Sequence, residues 1–470
     1  MRFDPSLRPR AHFAPRRNWM NDPNGQILLD GTYHLFFQHN ADGIGVGRAS
    51  WGHATSPDLT TWTELPVAIR ATETEYALSG CVVLDAENAS GLGRDGVPPL
   101  VAVFSTLHPE TRIQAQAVAS STDGGLTWER YAGNPVLDIG STEFRDPKLL
   151  RVGDRWVMVL VMAEERRVRF YGSRDLLRWE HLSFAGPFGF VDGVWECPDV
   201  VLLPIEGTPD RAWVLLLSVQ SGGPAGGSGM FSVVGDFDGT GFVPTGEARW
   251  LDFGSDFYAA VSYTDASECV VQGWMSNWDY AAATPATEFR GSMTLPRRLS
   301  LRERDGALVV VQRPVVALGP TLVQAGPTGV AGRLDIACAE PAVRVLAEIE
   351  PGTASRFGLD VRVGPGERTR VVVDPRAGTL ALDRTSSGFS AFHDGFAAVH
   401  TAPLRVGEAV HLEVYVDVAS VEVLAADGEV SLTDQVFPAP SSTGVAVWSE
   451  GGTARLRTLS VATIGALTPP

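Results

Sequence analysis

Residues 145–161 spell R-D-P-K-L-L-R-V-G-D-R-W-V-M-V-L-V, and this stretch has two relatives elsewhere in the chain. They are residues 21–38, N-D-P-N-G-Q-I-L-L-D-G-T-Y-H-L-F-F-Q, and residues 197–218, C-P-D-V-V-L-L-P-I-E-G-T-P-D-R-A-W-V-L-L-L-S. Each has a short acidic motif with a proline, a strand-like run, a polar turn and a more apolar strand. The recurrence indicates a chain built from similar units.

A second element recurs beyond those hairpins. It is S-P-D-L-T-T-W at 56–62, S-T-D-G-G-L-T-W at 121–128 and S-R-D-L-L-R-W at 173–179, with a weaker copy, G-D-F-D-G-T-G-F, at 235–242. We predict that the aspartate in each turn accepts hydrogen bonds from its own backbone and that the aromatic residue anchors the next strand. One unit then spans roughly 50 to 65 residues, and about five units fill residues 15–305. Because long helical patterns are nearly absent, the repeat predicts an all-β protein with a five-bladed β-propeller whose acidic motifs begin the innermost strands.

The character of the sequence changes after the last of these units. Residues beyond about 325 show alternating strands such as 379–382 and 411–416, while the acidic motifs and the S-x-D turns stop. This change predicts a propeller over residues 1–314, a linker over 315–325 and a C-terminal β-sandwich over 326–470.

Composition narrows the function classes. The chain has 470 residues, 44% of them hydrophobic, which is enough for a large core, and its net charge of −17 argues against nucleic acid or an anionic membrane as a partner. The N-terminal residues M-R-F-D-P-S-L-R-P-R lack the apolar segment of a signal peptide. We therefore expect a cytoplasmic protein, or a secreted one if a leader has been removed. The four cysteines have no metal-ligand spacing and are expected to be free thiols, and the sequence leaves the oligomeric state open.

Three acids stand out within the repeat: Asp22 in N-D-P-N-G, Asp146 in F-R-D-P-K and Glu196 in W-E-C-P-D. Each alone could be a turn residue. They fall at the same place in the repeat, however, so a propeller would bring them together at one end of its channel. Zinc-ligand sets and the G-x-S-x-G motif are absent from the sequence. A pair of carboxyl groups is what glycoside hydrolysis needs, and a third can hold sugar hydroxyls and stabilise oxocarbenium charge.

In these stretches the chain resembles glycoside hydrolase family 32, the β-fructosidases that include invertases, levanases and exo-inulinases. The matching segments occur in family order between residues 18 and 300. They are N-D-P-N-G (21–25), L-F-F-Q-H-N (35–40), W-G-H-A-T-S (51–56), L-S-G-C (78–81), Q-A-Q-A-V-A-S-S-T-D-G-G (114–125), F-R-D-P-K (144–148), W-E-C-P-D (195–199), Q-G-W-M-S-N-W-D-Y (272–280) and R-G-S-M-T-L-P-R (290–297).

The resemblance implies a five-bladed propeller plus sandwich that releases terminal β-fructofuranosyl units, with retention, from sucrose or from inulin- or levan-type fructan. It assigns Asp22 as nucleophile, Glu196 as general acid/base and Asp146 as transition-state stabiliser. It implies no metal and no cofactor. By the same match, the candidates for the sugar pocket are Asn21, Gln38, Trp51, Ser79, Arg145, Trp274 and Tyr280.

Three other functions stay open at this point. Fructosyl transfer on the same scaffold would replace water by a sugar hydroxyl. A fructan-binding propeller would bind without catalysis, although all three acids are present. The neighbouring five-bladed arabinosidase-type family would act with inversion. The chain also departs from the family pattern at Leu78, where an aromatic residue commonly precedes S-G, and at Phe289 and Ser120, which puts leaving-group specificity in doubt.

Overall fold

The computed structural model describes residues 7–285 and 288–465. The first six residues, which belong to the stretch on which the signal-peptide expectation rests, lie outside the described residues. Five small, mainly antiparallel sheets are followed by one larger sheet, which confirms the predicted five-bladed propeller and C-terminal β-sandwich. No helix within the described ranges is long and apolar enough to cross a membrane.

Each propeller blade is one small sheet whose strands follow one another in the chain. The first blade contains β1 (Asn18–Leu29), β2 (Thr32–Asn40), β3 (Ala49–Ser56) and β4 (Thr63–Ile69). The second contains β5 (Tyr76–Leu84), β6 (Leu100–Leu107), β7 (Gln114–Ser121), β8 (Glu129–Arg130) and β9 (Leu137–Ser141). The third contains β10 (Phe144–Val152), β11 (Arg155–Met162), β12 (Arg167–Ser173) and β13 (Glu180–Ala185).

The fourth blade contains β14 (Trp195–Pro204), β15 (Arg211–Val219), β16 (Gly229–Phe237), β17 (Phe242–Pro244) and β18 (Arg249–Trp250). The fifth segment contains β19 (Tyr258–Ser262), β20 (Val270–Trp274), a 3-10 helix (Ala281–Ala283), β21 (Phe289–Arg290), β22 (Arg297–Arg304) and β23 (Ala307–Pro314). Strand β21 leaves the fifth blade and pairs in parallel with β1 of the first, which closes the circle.

The first strands of the five blades line the centre of the propeller. Strand β1 contacts β5 and β19, β10 contacts β5 and β14, and β14 contacts β19, so the five strands form a ring. Because β1, β10 and β14 carry the acidic motifs, the prediction that these motifs begin the innermost strands is confirmed.

The predicted S-x-D turns are also present, each between the third and fourth strands of a blade. The carboxylate of Asp58 accepts hydrogen bonds from the backbone amides of Thr60 and Thr61 at 2.8 and 2.7 Å. Asp123, Asp175 and Asp238 repeat the arrangement in the next three blades. The turn therefore supplies its own hydrogen bonds, which is why the motif recurs.

The C-terminal sheet has eleven strands, and its last strand is 21 residues long and joins the two layers. The strands are β24 (Leu318–Ala325), β25 (Thr328–Ile336), β26 (Val343–Glu350), β27 (Arg356–Gly364), β28 (Glu367–Asp374), β29 (Thr379–Asp383), β30 (Val399–Pro403), β31 (Val410–Asp417), β32 (Ser420–Ala425), β33 (Val430–Gln435) and β34 (Gly444–Ile464), with a 3-10 helix at Ala426–Gly428. The predicted linker over 315–325 is largely wrong, because residues 318–325 are strand β24 and pair with β34. An exposed edge strand carries little of the hydrophobic pattern that marks a strand in sequence.

Propeller and sandwich meet across buried charged groups. Arg297 of β22 donates to Asp252 at 3.0 Å and also to Glu422 of β32. His12 lies 2.7 Å from Asp417 and 2.8 Å from Glu422. We call these five residues the interface charge cluster.

Candidate active site

A β-bulge interrupts the inner strand of every blade near its N-terminal end, and in each bulge two residues oppose one on the neighbouring strand. In β1, for example, Met20 pairs with His39 and Pro23 with Phe37, so that Asn21 and Asp22 together oppose Gln38. The other bulged pairs are Leu78–Ser79, Asp146–Pro147, Cys197–Pro198 and Ala259–Ala260. Bulges re-aim side chains, and here five of them surround one end of the channel.

The expectation that the three acids fall at the same place in the repeat needs a correction. Relative to the bulge, Glu196 is the last paired residue before it, Asp146 is the first bulged residue and Asp22 is the second. A one-residue step along a regular strand would turn a side chain to the opposite face. The bulge removes that constraint, and the left-handed backbone of Asp146 (φ 64°) and Cys197 (φ 47°) is part of the deformation. All three acids therefore line the same cavity.

That cavity has a volume of about 340 Å³ and lies at the bulged end of the propeller channel. Four of the predicted sugar-pocket residues line it together with the acids: Asn21, Gln38, Ser79 and Arg145. Asp22 is 8% exposed and Asp146 is 6% exposed, so the acids form a nearly buried floor.

Asp22 is held by neutral donors. Ser79 Oγ donates to its Oδ2 and Asn21 Nδ2 to its Oδ1, both at 3.0 Å. The Asn21 amide is oriented in turn by the indole nitrogen of Trp19, which donates to Asn21 Oδ1 at 2.7 Å. Burial first, and the charge of Glu196 second, raise the pKa of Asp22 to about 6. Asp22 is thus a carboxylate at neutral pH without a cation bound to it.

Glu196 is held by a cation and a phenol. Arg145 Nε donates to its Oε1 at 3.1 Å, and the hydroxyl of Tyr258 donates to its Oε2. Burial and the charge of Glu196 raise the pKa of Tyr258 well above its ordinary value, so the phenol stays protonated and remains a donor. Although burial opposes it, the charges of Glu196 and Asp146 raise the pKa of Arg145. The two donors fix the direction in which Glu196 faces the cavity.

Asp146 and Cys197 complete the floor. Asp146 Oδ2 accepts a hydrogen bond from the backbone nitrogen of Cys197 at 3.0 Å, and the Asp146 nitrogen donates to Ser105 Oγ at 2.9 Å. The Cys197 sulfur lies 3.7 Å from a carboxylate oxygen of Asp22 and 3.7 Å from one of Asp146. Burial and the two neighbouring acids raise the pKa of Asp146, against the effect of Arg145. Asp22 and Asp146 therefore hold a proton more tightly than isolated carboxyls would.

Three predicted pocket residues lie outside the cavity lining. Trp51 is fully buried within the blades, where its indole nitrogen donates to the carbonyl of Leu78 at 2.8 Å. Trp274 is also fully buried and packs edge-on against Trp19. Tyr280 lies toward the sandwich and donates to Asp256 at 2.7 Å. These three aromatic side chains pack behind the residues that line the cavity, and none of them lines it.

Sequence reasoning missed several residues that do form the site. Tyr258 contacts Glu196, and Trp278, Tyr76 and Arg112 line the cavity. Tyr258 stands at the same bulge position as Glu196, so extending the repeat to D-F-Y-A-A in the fifth unit could have found it. Within residues 7–285 and 288–465, no group of three or more His, Cys, Asp or Glu side chains is arranged to hold a metal ion.

Known proteins resemble this chain over almost its whole length. The model of the glycosyl hydrolases family 32 N-terminal domain matches residues 12–314, and that of the family 32 C-terminal domain matches residues 322–463. A levanase of Bacillus subtilis is 39% identical over 98% of this chain and 70% of the levanase. An extracellular exo-inulinase of Aspergillus niger is 38% identical over 96% of this chain and 93% of its own length. The crystal structure of an exo-inulinase from Aspergillus awamori matches with a TM-score of 0.94 at 35% identity, covering 99% of this chain and 100% of that one.

Proposed function

The chain belongs to glycosyl hydrolase family 32, and from this premise we propose that it releases terminal β-D-fructofuranosyl units from sucrose or from fructans of the inulin or levan type, with retention of configuration. Three carboxyl groups around one cavity of about 340 Å³ carry the proposal. Retaining glycosidases need two of them, one as nucleophile and one as acid and base. The levanase and exo-inulinase names of similar chains support a fructan as substrate.

In the first step, an oxygen of Asp22 attacks the anomeric carbon of the fructosyl unit while the bond to the leaving oxygen breaks. Glu196 gives its proton to that oxygen, so the leaving sugar departs as a neutral alcohol and Glu196 becomes a carboxylate. The Asp22 pKa of about 6 supports the nucleophile role, because the group is mostly ionised at pH 7. The neighbouring Ser79 and Asn21 side chains hold the attacking carboxylate in one orientation.

In the second step, Glu196 takes a proton from a water molecule as the oxygen of that water attacks the same anomeric carbon. The bond to Asp22 breaks, fructose leaves, and both acids return to their starting states. Arg145 and Tyr258 donate to opposite oxygens of Glu196 and stabilise its carboxylate form between the two steps.

Asp146 binds sugar hydroxyls and stabilises positive charge at the anomeric carbon in both transition states. Asn21, Gln38, Ser79 and Arg145 supply amide, hydroxyl and guanidinium groups to the remaining hydroxyls of the fructosyl unit. A non-catalytic binding protein would gain nothing from carboxyls whose pKa is raised by burial, because neutral donors bind sugars at lower cost.

The test is a hydrolysis panel of sucrose, kestose, inulin and levan, with the products separated. We expect fructose as the first product from the chain ends, and no reducing sugar from the Asp22→Asn variant. Products longer than the substrate at high sucrose would indicate fructosyl transfer instead. Binding of fructan without release of any reducing sugar would reject the proposed function.

A further inference from the structure

The cavity wall has two zones that differ in exposure. Asp22, Asp146, Gln38 and Ser79 are buried at its floor. Toward the mouth, the second blade contributes Tyr76 and Leu78, which are half-buried, and Arg112, which is exposed. Since the acids at the floor must surround the fructosyl unit, a leaving sugar lies toward the mouth.

Arg112 is placed at this mouth by a tightly bonded hairpin between β6 and β7. Its backbone nitrogen donates to His108 O at 2.9 Å, and the His108 nitrogen donates to Ile113 O at 3.0 Å. Arg112 itself has a left-handed backbone with φ 61°. A non-glycine residue in this conformation costs about 1 kcal/mol or more.

The guanidinium of Arg112 is available for a ligand. In the part of the chain that the structure describes, it has no hydrogen-bond or ion-pair partner, although it lines a cavity with three acids. Tyr76 and Leu78 lie on either side of the fully buried Ala77 on β5, and both line the cavity. The Tyr76 hydroxyl likewise has no partner among the described residues.

We propose that Arg112 and Tyr76 form a subsite for the sugar that carries the leaving oxygen. Arg112 donates hydrogen bonds to hydroxyls of that sugar, and the Tyr76 ring packs against its apolar face beside Leu78. The subsite takes a neutral sugar, either the next fructosyl unit of a fructan or the glucosyl unit of sucrose. This inference rests on the proposed function, because it assumes a fructosyl unit at the floor.

The experiment compares kestose with a nitrophenyl β-fructofuranoside, whose leaving group has no sugar hydroxyls. The readout is the ratio of kcat/KM for kestose to kcat/KM for the aryl fructoside, measured in the wild type and in Arg112→Ala and Tyr76→Ala. We expect the ratio to fall about tenfold in Arg112→Ala, equivalent to one lost hydrogen bond to a charged group. A fall of about threefold is expected in Tyr76→Ala, and recovery of the ratio in Tyr76→Phe, which keeps the ring.

The matched control is Arg174→Ala, whose side chain is 81% exposed on the third blade and lies outside the cavity lining. It should keep the wild-type ratio. A ratio that stays within twofold of wild type in Arg112→Ala, whether because both substrates slow equally or because neither does, overturns the subsite. A wild-type protein that hydrolyses neither substrate rejects the proposed function itself, so the two failures are distinguishable.

Discussion

The pocket floor and the interface charge cluster both bury carboxylates, but they balance the charge differently. At the interface, His12 and Arg297 contact Asp417, Glu422 and Asp252 directly. Against the effect of burial, His12 lowers the pKa of Asp417 to about 2, and Arg297 with His12 lowers that of Glu422 to about 2. The same bonds, outweighing burial, raise the pKa of His12 to about 9. At the interface, the cations and the carboxylates therefore stabilise each other's charged forms.

At the pocket floor, one arginine contacts the acids, and it is shared. Arg145 donates to Glu143 at 2.6 Å as well as to Glu196, while Asp22 has neutral partners. The pKa of Asp22 is consequently raised to about 6 instead of lowered. The difference is that each interface acid has a cationic partner and joins the two domains, whereas Asp22 at the pocket floor has only neutral partners.

The largest expected effect is on turnover in Asp22→Asn. Loss of the attacking carboxylate removes the covalent route, and we expect kcat to fall by roughly 10⁴-fold or more. Steady-state hydrolysis of sucrose measures this. The control is Asp154→Asn, an acid on the third blade that is 74% exposed, and it should turn over at the wild-type rate. Near wild-type activity in Asp22→Asn would show that Asp22 is not the nucleophile.

Next in size is Glu196→Gln. We expect kcat/KM for sucrose to fall by roughly 10²–10⁴-fold, because the leaving oxygen no longer receives a proton. An aryl fructoside with a good leaving group needs less protonation, so its kcat/KM should fall much less. Equal losses on both substrates would contradict the acid role.

A substitution in the interface charge cluster should lower the free energy of unfolding. Glu422→Gln leaves Arg297 and His12 with one carboxylate fewer while fully buried, and breaking a buried ion pair of this kind costs about 3–5 kcal/mol. Thermal unfolding should show a clear drop in midpoint. Glu268→Gln, whose side chain is 65% exposed and pairs with Arg298, is the matched surface control and should change stability by less than about 0.5 kcal/mol.

Neutralising Asp22 at the pocket floor should raise stability, whereas neutralising Glu422 at the interface should lower it. Because the folded-state pKa of Asp22 is about 6 and the ordinary pKa of an aspartate is 3.8, the folded protein holds this proton more tightly than the unfolded chain. Stability from the protonated form is therefore present at low pH and is lost as the pH rises from about 4 to about 6. Asp22→Asn mimics the protonated form, and should stabilise the protein by about 1–3 kcal/mol at pH 7. Unfolding midpoints across pH measure this, and a variant less stable than wild type at pH 7 would show that the charge is compensated after all.

A smaller effect is expected for Tyr258→Phe. It removes one of the two donors that orient Glu196, and we expect kcat/KM to fall about tenfold, the value of one hydrogen bond to a charged group. Unchanged stability alongside the slower turnover would separate a positioning role from a packing role. A variant that keeps full kcat/KM would show that the Tyr258 hydroxyl is not needed to orient Glu196.

The parts that the sequence could predict are those that recur. The S-x-D turns repeat local hydrogen bonds, and strands follow the hydrophobic pattern, so the propeller and its inner strands were predictable. That the three acids would line one cavity could be predicted because their motifs recur at the start of the inner strands, while their catalytic roles stay predictions.

The stagger of Glu196, Asp146 and Asp22 across the bulges was not predictable, since it depends on pairing with the next strand. Trp51 and Tyr280 were misplaced for a related reason. Each belongs to a sequence motif that was assigned to the pocket. Packing between blades, for Trp51, and against the sandwich, for Tyr280, directs the side chain away from the cavity. Arg112 gave no signal, because an exposed arginine in a hairpin resembles any other until the cavity is seen.

The central claim is that the uncompensated carboxylate of Asp22 attacks the sugar, and its most direct test is to trap the adduct. The Glu196→Gln variant, mixed with an activated aryl fructoside and quenched in acid, is digested and mapped by mass spectrometry. We expect one added anhydro-fructosyl unit on the peptide that contains Asp22, absent from the Asp22→Asn, Glu196→Gln double variant. An adduct on Asp146, or turnover of the aryl fructoside with inversion and no adduct, would contradict the account.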